Sequence, residues 1–300
     1  IEKPFTADRL LLVVSRAIEA GRLRRENEEL RLRFGQGSVL VGETSAINSM
    51  RAAIEKVAPT GSRVLITGPA GSGKEVAARL LHNRSRRAQG PFVVMNAARM
   101  APDTIELELF GAEAGAPNPD SPHKFGIFEQ AHQGTLFIDE AADMPLETQG
   151  RILRVLQDQT FSRLGGGEQI RVDVRVISGS SRDLSNEIAE GRFREDLYHR
   201  LAVVPIRVPP LSERRQDIPV LAHYFMERMA QSIGLPARSI ADDAMAVLQA
   251  RDWPGNVREL RNMIERLLIM APGGTETPIH ADTMKQEIRS NGACSGQPPA

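Results

Sequence analysis

The run RVLITG at Arg63–Gly68 leads directly into GPAGSGKE at Gly68–Glu75, and a helical pattern follows from Lys74 to His82. A buried strand, a glycine turn and a helix start in that order form a phosphate cradle. The glycines permit a tight turn whose N–H groups face an anion, and the helix start adds a favourable dipole. The predicted ligand-facing residues are Gly68, Pro69, Ala70, Gly71, Ser72, Gly73 and Lys74, with the Lys74 ammonium against the β and γ phosphates of a nucleotide. The competing reading is a glycine turn beside a surface lysine. Where such a loop usually offers a hydroxyl to Mg²⁺, this chain offers Glu75. Turned inward, that carboxylate would repel a triphosphate. Turned outward, it leaves the metal a water, which Mg²⁺ readily retains.

A second piece is TLFIDE at 135–140. An apolar strand ending in an acid places that carboxylate at the ligand-binding edge of an open sheet. Asp139 is the expected Mg²⁺ ligand, and Glu140 the expected base for an attacking water. The alternative is an acidic turn after a core strand.

Further strand candidates end at Asn96 (PFVVMN) and Ser178 (VDVRVIS). Helical patterns cover Ser45 to Ala58, Thr104 to Phe110 and Glu147 to Gln157. This alternation predicts an α/β fold with a mostly parallel sheet between helices. Beyond Pro210 the strand signals stop. Helices are expected over Asp217 to Gln231, Ala241 to Ala250 and Asn256 to Met270, making an all-helical lid. Asn256 is the expected cap of the last helix, Glu259 stands at the capping-box position, and Trp253 reads as a lid core anchor. From Ala271 onward the chain is Gly-, Pro-, Ser- and Thr-rich and reads as a flexible linker.

The 38 basic and 38 acidic side chains cancel, so no broad DNA-binding surface is implied. One cysteine, Cys294, excludes a disulfide scaffold and favours a reducing, cytoplasmic setting. No secretory leader or membrane-length apolar run is present. The chain opens at Ile1 inside what reads as structure, which leads to the expectation of a fragment. Near its start, Leu11, Val14 and Ile18 share a helical face. Leu23 and Leu30 with Asn27 between them permit either a short paired helix or a solvated connector.

Two arginines, Arg194 and Arg200, lie in GRFREDLYHRL with Phe193, Leu197 and Leu201 as apolar anchors. Each can reach a neighbouring subunit's γ phosphate as an arginine finger, or form a local ion pair with Glu195 or Asp196. Arg258 can touch nucleotide, or it can face solvent beside Glu259 or Glu265.

The ordered set GPAGSGKE, TLFIDEAADMP, RVDVRVIS, FREDLYHRL and WPGNVRELRN resembles the AAA+ ATPases of bacterial enhancer-binding proteins. Those are response-regulator transcription factors that remodel sigma-54 RNA polymerase, and the wording is especially close to nitrogen-regulation members. The resemblance covers about residues 38–272, and Glu after the loop lysine is usual in that family. It implies an AAA+ P-loop NTPase fold: an α/β subdomain over 38–210, a helical lid over 211–272 and a preceding linker helix over 21–37 that can serve for dimerisation. Residues 1–20 resemble the end of a receiver domain, with Lys3 as its phosphate-sensing lysine before a cis bond to Pro4. Residues 273–300 become a linker to a DNA-binding domain.

The family roles, carried over, make Val41 and Gly42 the border of the adenine and Arg258 the lid sensor. Asn96 becomes the residue that holds Glu140 until a switch releases it. ATP or ADP with Mg²⁺ is the implied ligand. The implied partners are further copies of the chain as a dimer or an ATP-dependent ring, a cognate sensor histidine kinase, and DNA through the further domain, with no membrane.

Two departures stand out. The family's Thr–Asn sensor pair is Ser180 and Ser181 here, which shortens the second side chain. The sigma-contacting loop GAFTGA reads GAPNPD at Gly115–Asp120, where Pro117 and Pro119 remove two N–H donors and Asp120 adds charge. The expectation is a regulator that binds ATP without activating sigma-54 polymerase. The alternative is an ATPase that remodels another partner.

Overall fold

The computed structural model describes residues 39–116, 122–272 and 277–286. The expected receiver end, Lys3, Pro4, the 21–37 linker helix, Pro117–Asp120 of the replaced loop and Cys294 lie outside the described residues.

Five strands form a parallel sheet: β1 (Val64–Thr67), β2 (Phe92–Asn96), β3 (Thr135–Asp139), β4 (Arg175–Ser180) and β5 (Val204–Arg207). Their spatial order is β2-β3-β4-β1-β5. The central strands β1 and β3 are short, nearly continuous apolar runs, because helices cover both faces of the sheet. The edge strand β5, VPIR, has no clear strand signal in its sequence. It is recruited by in-register pairing with β1, Val64 opposite Val204 and Thr67 opposite Arg207.

On one face, α1 (Ser45–Val57) and α2 (Lys74–Asn83) bury Ile47, Ile54, Ala77, Ala78 and Leu81 against Ile66, Phe137 and Ile177. On the other, α3 (Pro102–Phe110), α4 (Leu146–Asp158) and α5 (Glu195–Leu201) pack around Leu136, Ile138 and Val176. Phe193, Leu197 and Leu201 are buried anchors there, as their spacing predicts. Two short antiparallel hairpins, Gly111–Ala112 with Lys124–Phe125 and Thr160–Phe161 with Ile170–Arg171, sit outside the main sheet.

The lid comprises α6 (Ile218–Ile233), α7 (Asp242–Ala250) and α8 (Asn256–Met270) around Leu221, Met226, Leu248, Leu260, Ile264 and Leu267. Trp253 is 4% exposed and donates its indole N–H to the Leu248 carbonyl at 2.9 Å, so it anchors the lid core.

Two expectations need correction here. Asn256 does not cap α8: the cap is Gly255, and Asn256 is the first helical residue, at φ 53°. Its side chain is taken up by two backbone groups of distant segments, described below. Glu259 does bond back to the Gly255 N–H, at 2.9 Å. Secondly, residues 277–286, expected as flexible linker, pack on the lid. Ile279 bridges to Ile240, Met284 is fully buried, and Arg238 donates to the carbonyls of Ala271, Pro272 and Thr277. Two apolar side chains and one buried guanidinium outweigh the polar composition. Among the described residues no helix is long and apolar enough to cross a membrane.

Candidate functional site

The C-terminal edges of β1, β3 and β4 meet where the strand order jumps, which is where open α/β sheets place ligands. Thr67 pairs with Ser180, Ile138 with Ser178 and Asn96 with Asp139. The glycine turn after β1, the acids after β3 and the serines after β4 therefore arrive together.

Gly73, at φ 110°, precedes α2; within the turn the Ser72 N–H bonds back to the Pro69 carbonyl at 3.2 Å, and the Ala77 N–H reaches the Gly73 carbonyl at 3.1 Å. The first-turn amides of α2, from Lys74 to Val76, have no carbonyl one turn back within the helix, and with the helix dipole they form an anion-seeking nest. Lys74 is 5% exposed; its Nζ donates to the Gly68 carbonyl and to Glu140 Oε1, both at 3.0 Å. Glu75 points outward. Its Oε1 accepts from Arg79 Nε and Nη2 at 3.0 and 2.7 Å, one helical turn on, so the carboxylate stays clear of the cradle.

Asp139 ends β3. Its Oδ2 accepts from Asn96 Nδ2 at 3.0 Å, while its Oδ1 is buried with no hydrogen-bond partner among the described residues. Burial and the neighbouring Glu140 charge raise its carboxyl above the ordinary range, against the pull of Lys74. An orphaned carboxylate oxygen beside an anion nest suits a hard cation. Among the described residues no cluster of three or more His, Cys, Asp or Glu could hold a metal. The cation that fits is therefore one that takes most of its ligands from water and phosphate, as Mg²⁺ does. A Cβ on Gly179 would lie 3.1 Å from Oδ1, so a side chain there would crowd this oxygen.

Glu140 is left-handed, φ 53° and ψ 52°. Burial raises its carboxyl, but the hydrogen bonds from Ser181 and Lys74 outweigh burial and hold it below the usual range. The Asn96 expectation is corrected at this point: its amide holds Asp139 and not Glu140. The two are partners in the β2–β3 register, so the amide meets Asp139 first, and the left-handed turn at Glu140 carries the next carboxylate away. Ser181 takes Glu140 instead, through its hydroxyl at 2.6 Å and its N–H at 2.9 Å. Ser180 is fully buried and spends its hydroxyl on the Arg182 backbone, shaping the turn.

Three successive carbonyls of the glycine turn are held from the lid side. Ala70 accepts from Asn256 Nδ2 at 3.1 Å, Gly71 from the Arg258 N–H at 3.3 Å, and Ser72 from Arg214 Nη2 at 2.7 Å. Asn256 Oδ1 also accepts from the Leu211 N–H at 2.8 Å. Arg214 is 3% exposed, and burial lowers its guanidinium despite the help of Asp217. Asp217, also buried, accepts from the N–H groups of Glu43 and Thr44 and the Thr44 hydroxyl at 2.7, 3.0 and 2.8 Å. It thereby fixes Val41 and Gly42 at the hinge, with Val41 packed on the lid core and Gly42 at φ 139°. Sequence reasoning missed Arg214 and Asp217, which sit in a charged run without periodicity.

The arginines diverge. Arg194 makes the local pair, its Nε and Nη2 on Asp196 at 3.0 and 2.7 Å and exposed to solvent. Arg200 has no carboxylate partner among the described residues. It leans on the Leu156 carbonyl at 3.5 Å beside Arg63, whose guanidinium is lowered by burial and then by the Arg200 charge. Arg258 is exposed, without a side-chain ion pair among the described residues; Glu259 pairs with Arg251 instead.

Residues 40–207 match the family model described as the Sigma-54 interaction domain, and residues 212–299 match the AAA+ ATPase lid domain. The nitrogen assimilation regulatory protein NtrX of Azorhizobium caulinodans is 56% identical over 96% of this chain and 63% of its own length. A putative response regulator NtrX-like from Rickettsia conorii is 41% identical over 98% of this chain and 61% of its own. Crystal structures of NtrX from Brucella abortus superpose with a TM-score of 0.83 in both an ADP complex (52% identical, 96% of this chain, 64% of that one) and an ATP complex (50%, 100% and 64%). The chain spans a little under two thirds of the length of these relatives.

Proposed function

Since this chain belongs to the Sigma-54 interaction domain family of AAA+ ATPases, we propose that it is the ATP-binding central module of a nitrogen-related, NtrX-type two-component response regulator that controls transcription. The observation that carries this reading is the convergence of Lys74, Asp139 and Glu140 at one sheet edge, beside a glycine turn that runs into the start of α2. The relatives captured with ADP and with ATP support the same ligand here.

In this reading Gly68 to Lys74 hold the phosphates, and Val41 and Gly42 border the base. Asp139, whose Oδ1 has no hydrogen-bond partner among the described residues, would hold Mg²⁺, which would draw charge off the phosphate oxygens. Glu140 orients and deprotonates water, and Arg258 faces the nucleotide from the lid. The exposed Arg194 leaves Asp196 for a neighbouring copy's phosphate, as does Arg200. The assembled partners are further copies of the chain as a dimer or ring, a cognate sensor histidine kinase, and DNA, the last two through segments beyond those described. With GAPNPD in place of GAFTGA, the module does not activate sigma-54 polymerase.

A second reading, an ATPase that turns over on assembly and remodels another transcription partner, is favoured by the intact set Lys74, Asp139 and Glu140. Phosphate release measured against protein concentration separates the two. Concentration-dependent turnover lost in both Glu140→Gln and Arg194→Ala supports the ATPase; ATP binding with flat background release supports the module. ATP-dependent open-complex formation at a sigma-54 promoter by the full-length protein would overturn the exclusion of sigma-54.

A further inference from the structure

Both oxygens of Glu140 are engaged from within the chain. Oε1 meets Lys74 at 3.0 Å, and Oε2 accepts from the Ser181 hydroxyl at 2.6 Å and its N–H at 2.9 Å. The ammonium that would receive phosphate is thus neutralised by the chain's own acid. Glu140 itself is left-handed, at φ 53° and ψ 52°. Asn96 takes no part, being committed to Asp139. A serine hydroxyl is too short to follow a mobile carboxylate, so the carboxylate must come to it. The turn carrying Ser181 is itself tied down on the far side, where Arg182 pairs with Asp143 and, at 3.7 Å, with Glu187.

We propose that Ser181 is a positioning residue that holds Glu140 on Lys74, so that ATP must displace a Ser181–Glu140–Lys74 latch before its phosphates reach Lys74. The latch rests on the reading of Gly68–Lys74 as a phosphate loop. When phosphate takes Lys74, Oε1 is released while Ser181 keeps Oε2. The acid then stays oriented beside the loop with one oxygen free.

The test is calorimetric titration with a non-hydrolysable ATP analogue and Mg²⁺, on the wild-type chain, Ser181→Ala, Ser181→Thr, Glu140→Ala and the Ser181→Ala/Glu140→Ala double variant. Removing the hydroxyl weakens the competing internal contact, so Ser181→Ala binds about three- to tenfold more tightly than wild type. Ser181→Thr retains the hydroxyl and restores wild-type affinity. Glu140→Ala binds at least as tightly as Ser181→Ala, and the double variant gains nothing further. A serine that merely props the turn would give weaker or unchanged binding, with an effect that persists without Glu140; either result overturns the latch alone. No binding by wild type or any variant, with the fold verified by circular dichroism, overturns the phosphate-loop reading and the latch with it.

Discussion

The side-chain amide of Asn256 lies 3.1 Å from the carbonyl oxygen of Ala70, joining the first turn of the lid's last helix to the phosphate loop. The same side chain accepts the buried Leu211 N–H, so one residue fixes the loop, the lid entry and the helix start. Truncation to Ala leaves that N–H unsatisfied. Asn256→Ala is therefore expected to lower folding stability by about 1–3 kcal/mol. It should also weaken ATP binding, because the loop carbonyl of Ala70 loses its tie to the lid. Urea unfolding and calorimetry measure the two effects separately.

Two loop glycines give opposite diagnoses. At Gly71, φ is 74° and a Cβ would stand 2.2 Å from the Gly255 carbonyl oxygen, so Gly71→Ala must push the lid away from the loop. At Gly73, φ is 110° but no atom lies within 4 Å of the added carbon, so Gly73→Ala meets backbone strain alone, about 1–3 kcal/mol. Protease accessibility of the lid should rise sharply in the first variant and little in the second.

Arg194 and Asp196 form an exposed pair that solvent screens, so it contributes little to stability. Asp196→Ala is expected to leave the unfolding midpoint nearly unchanged while freeing Arg194. If Arg194 serves a neighbouring copy, Arg194→Ala lowers concentration-dependent phosphate release. Its ATP affinity as an isolated chain stays close to wild type.

Arg163 grips Glu129 through Nε at 3.0 Å and Nη2, and Glu113 through Nη1 at 2.7 Å, close to the start of the replaced loop. Burial raises the Glu129 carboxyl, but Arg163 and the Gly126 N–H outweigh it and hold the group below its ordinary value. A carboxyl depressed in the folded state stabilises above its unfolded pKa, about 4.3, and loses that contribution as pH falls through the folded value. Glu129→Gln should be less stable at pH 7 and should lose less stability than wild type between about pH 5 and pH 3. Urea midpoints across that range measure the difference.

The loop, its helix and the acid-ended strand were legible because each is local: a glycine turn between a strand run and a helical run, and an apolar run closing on Asp139. The lid helices were legible from their stripes. What could not be read are the contacts that join distant segments. Asn256 reaches Ala70 across 186 residues, Arg214 reaches Ser72 across 142, and Ser181 reaches Glu140 across 41. No local pattern encodes such distances. Asn256 looked like a helix cap because Asn caps helices. Asn96 was assigned to Glu140 by resemblance, whereas the β2–β3 register gives it Asp139. The edge strand at Val204–Arg207 was hidden for the same reason, since pairing with β1 and not its composition makes it a strand.

The most direct measurement is calorimetric titration of the folded chain with ATP and excess Mg²⁺, alongside Lys74→Ala. The account predicts one saturable site per chain in wild type, greatly weakened when the Lys74 ammonium is removed. A well-folded wild-type chain that releases or absorbs no heat of association with ATP, or a Lys74→Ala variant that binds as tightly as wild type, would contradict it.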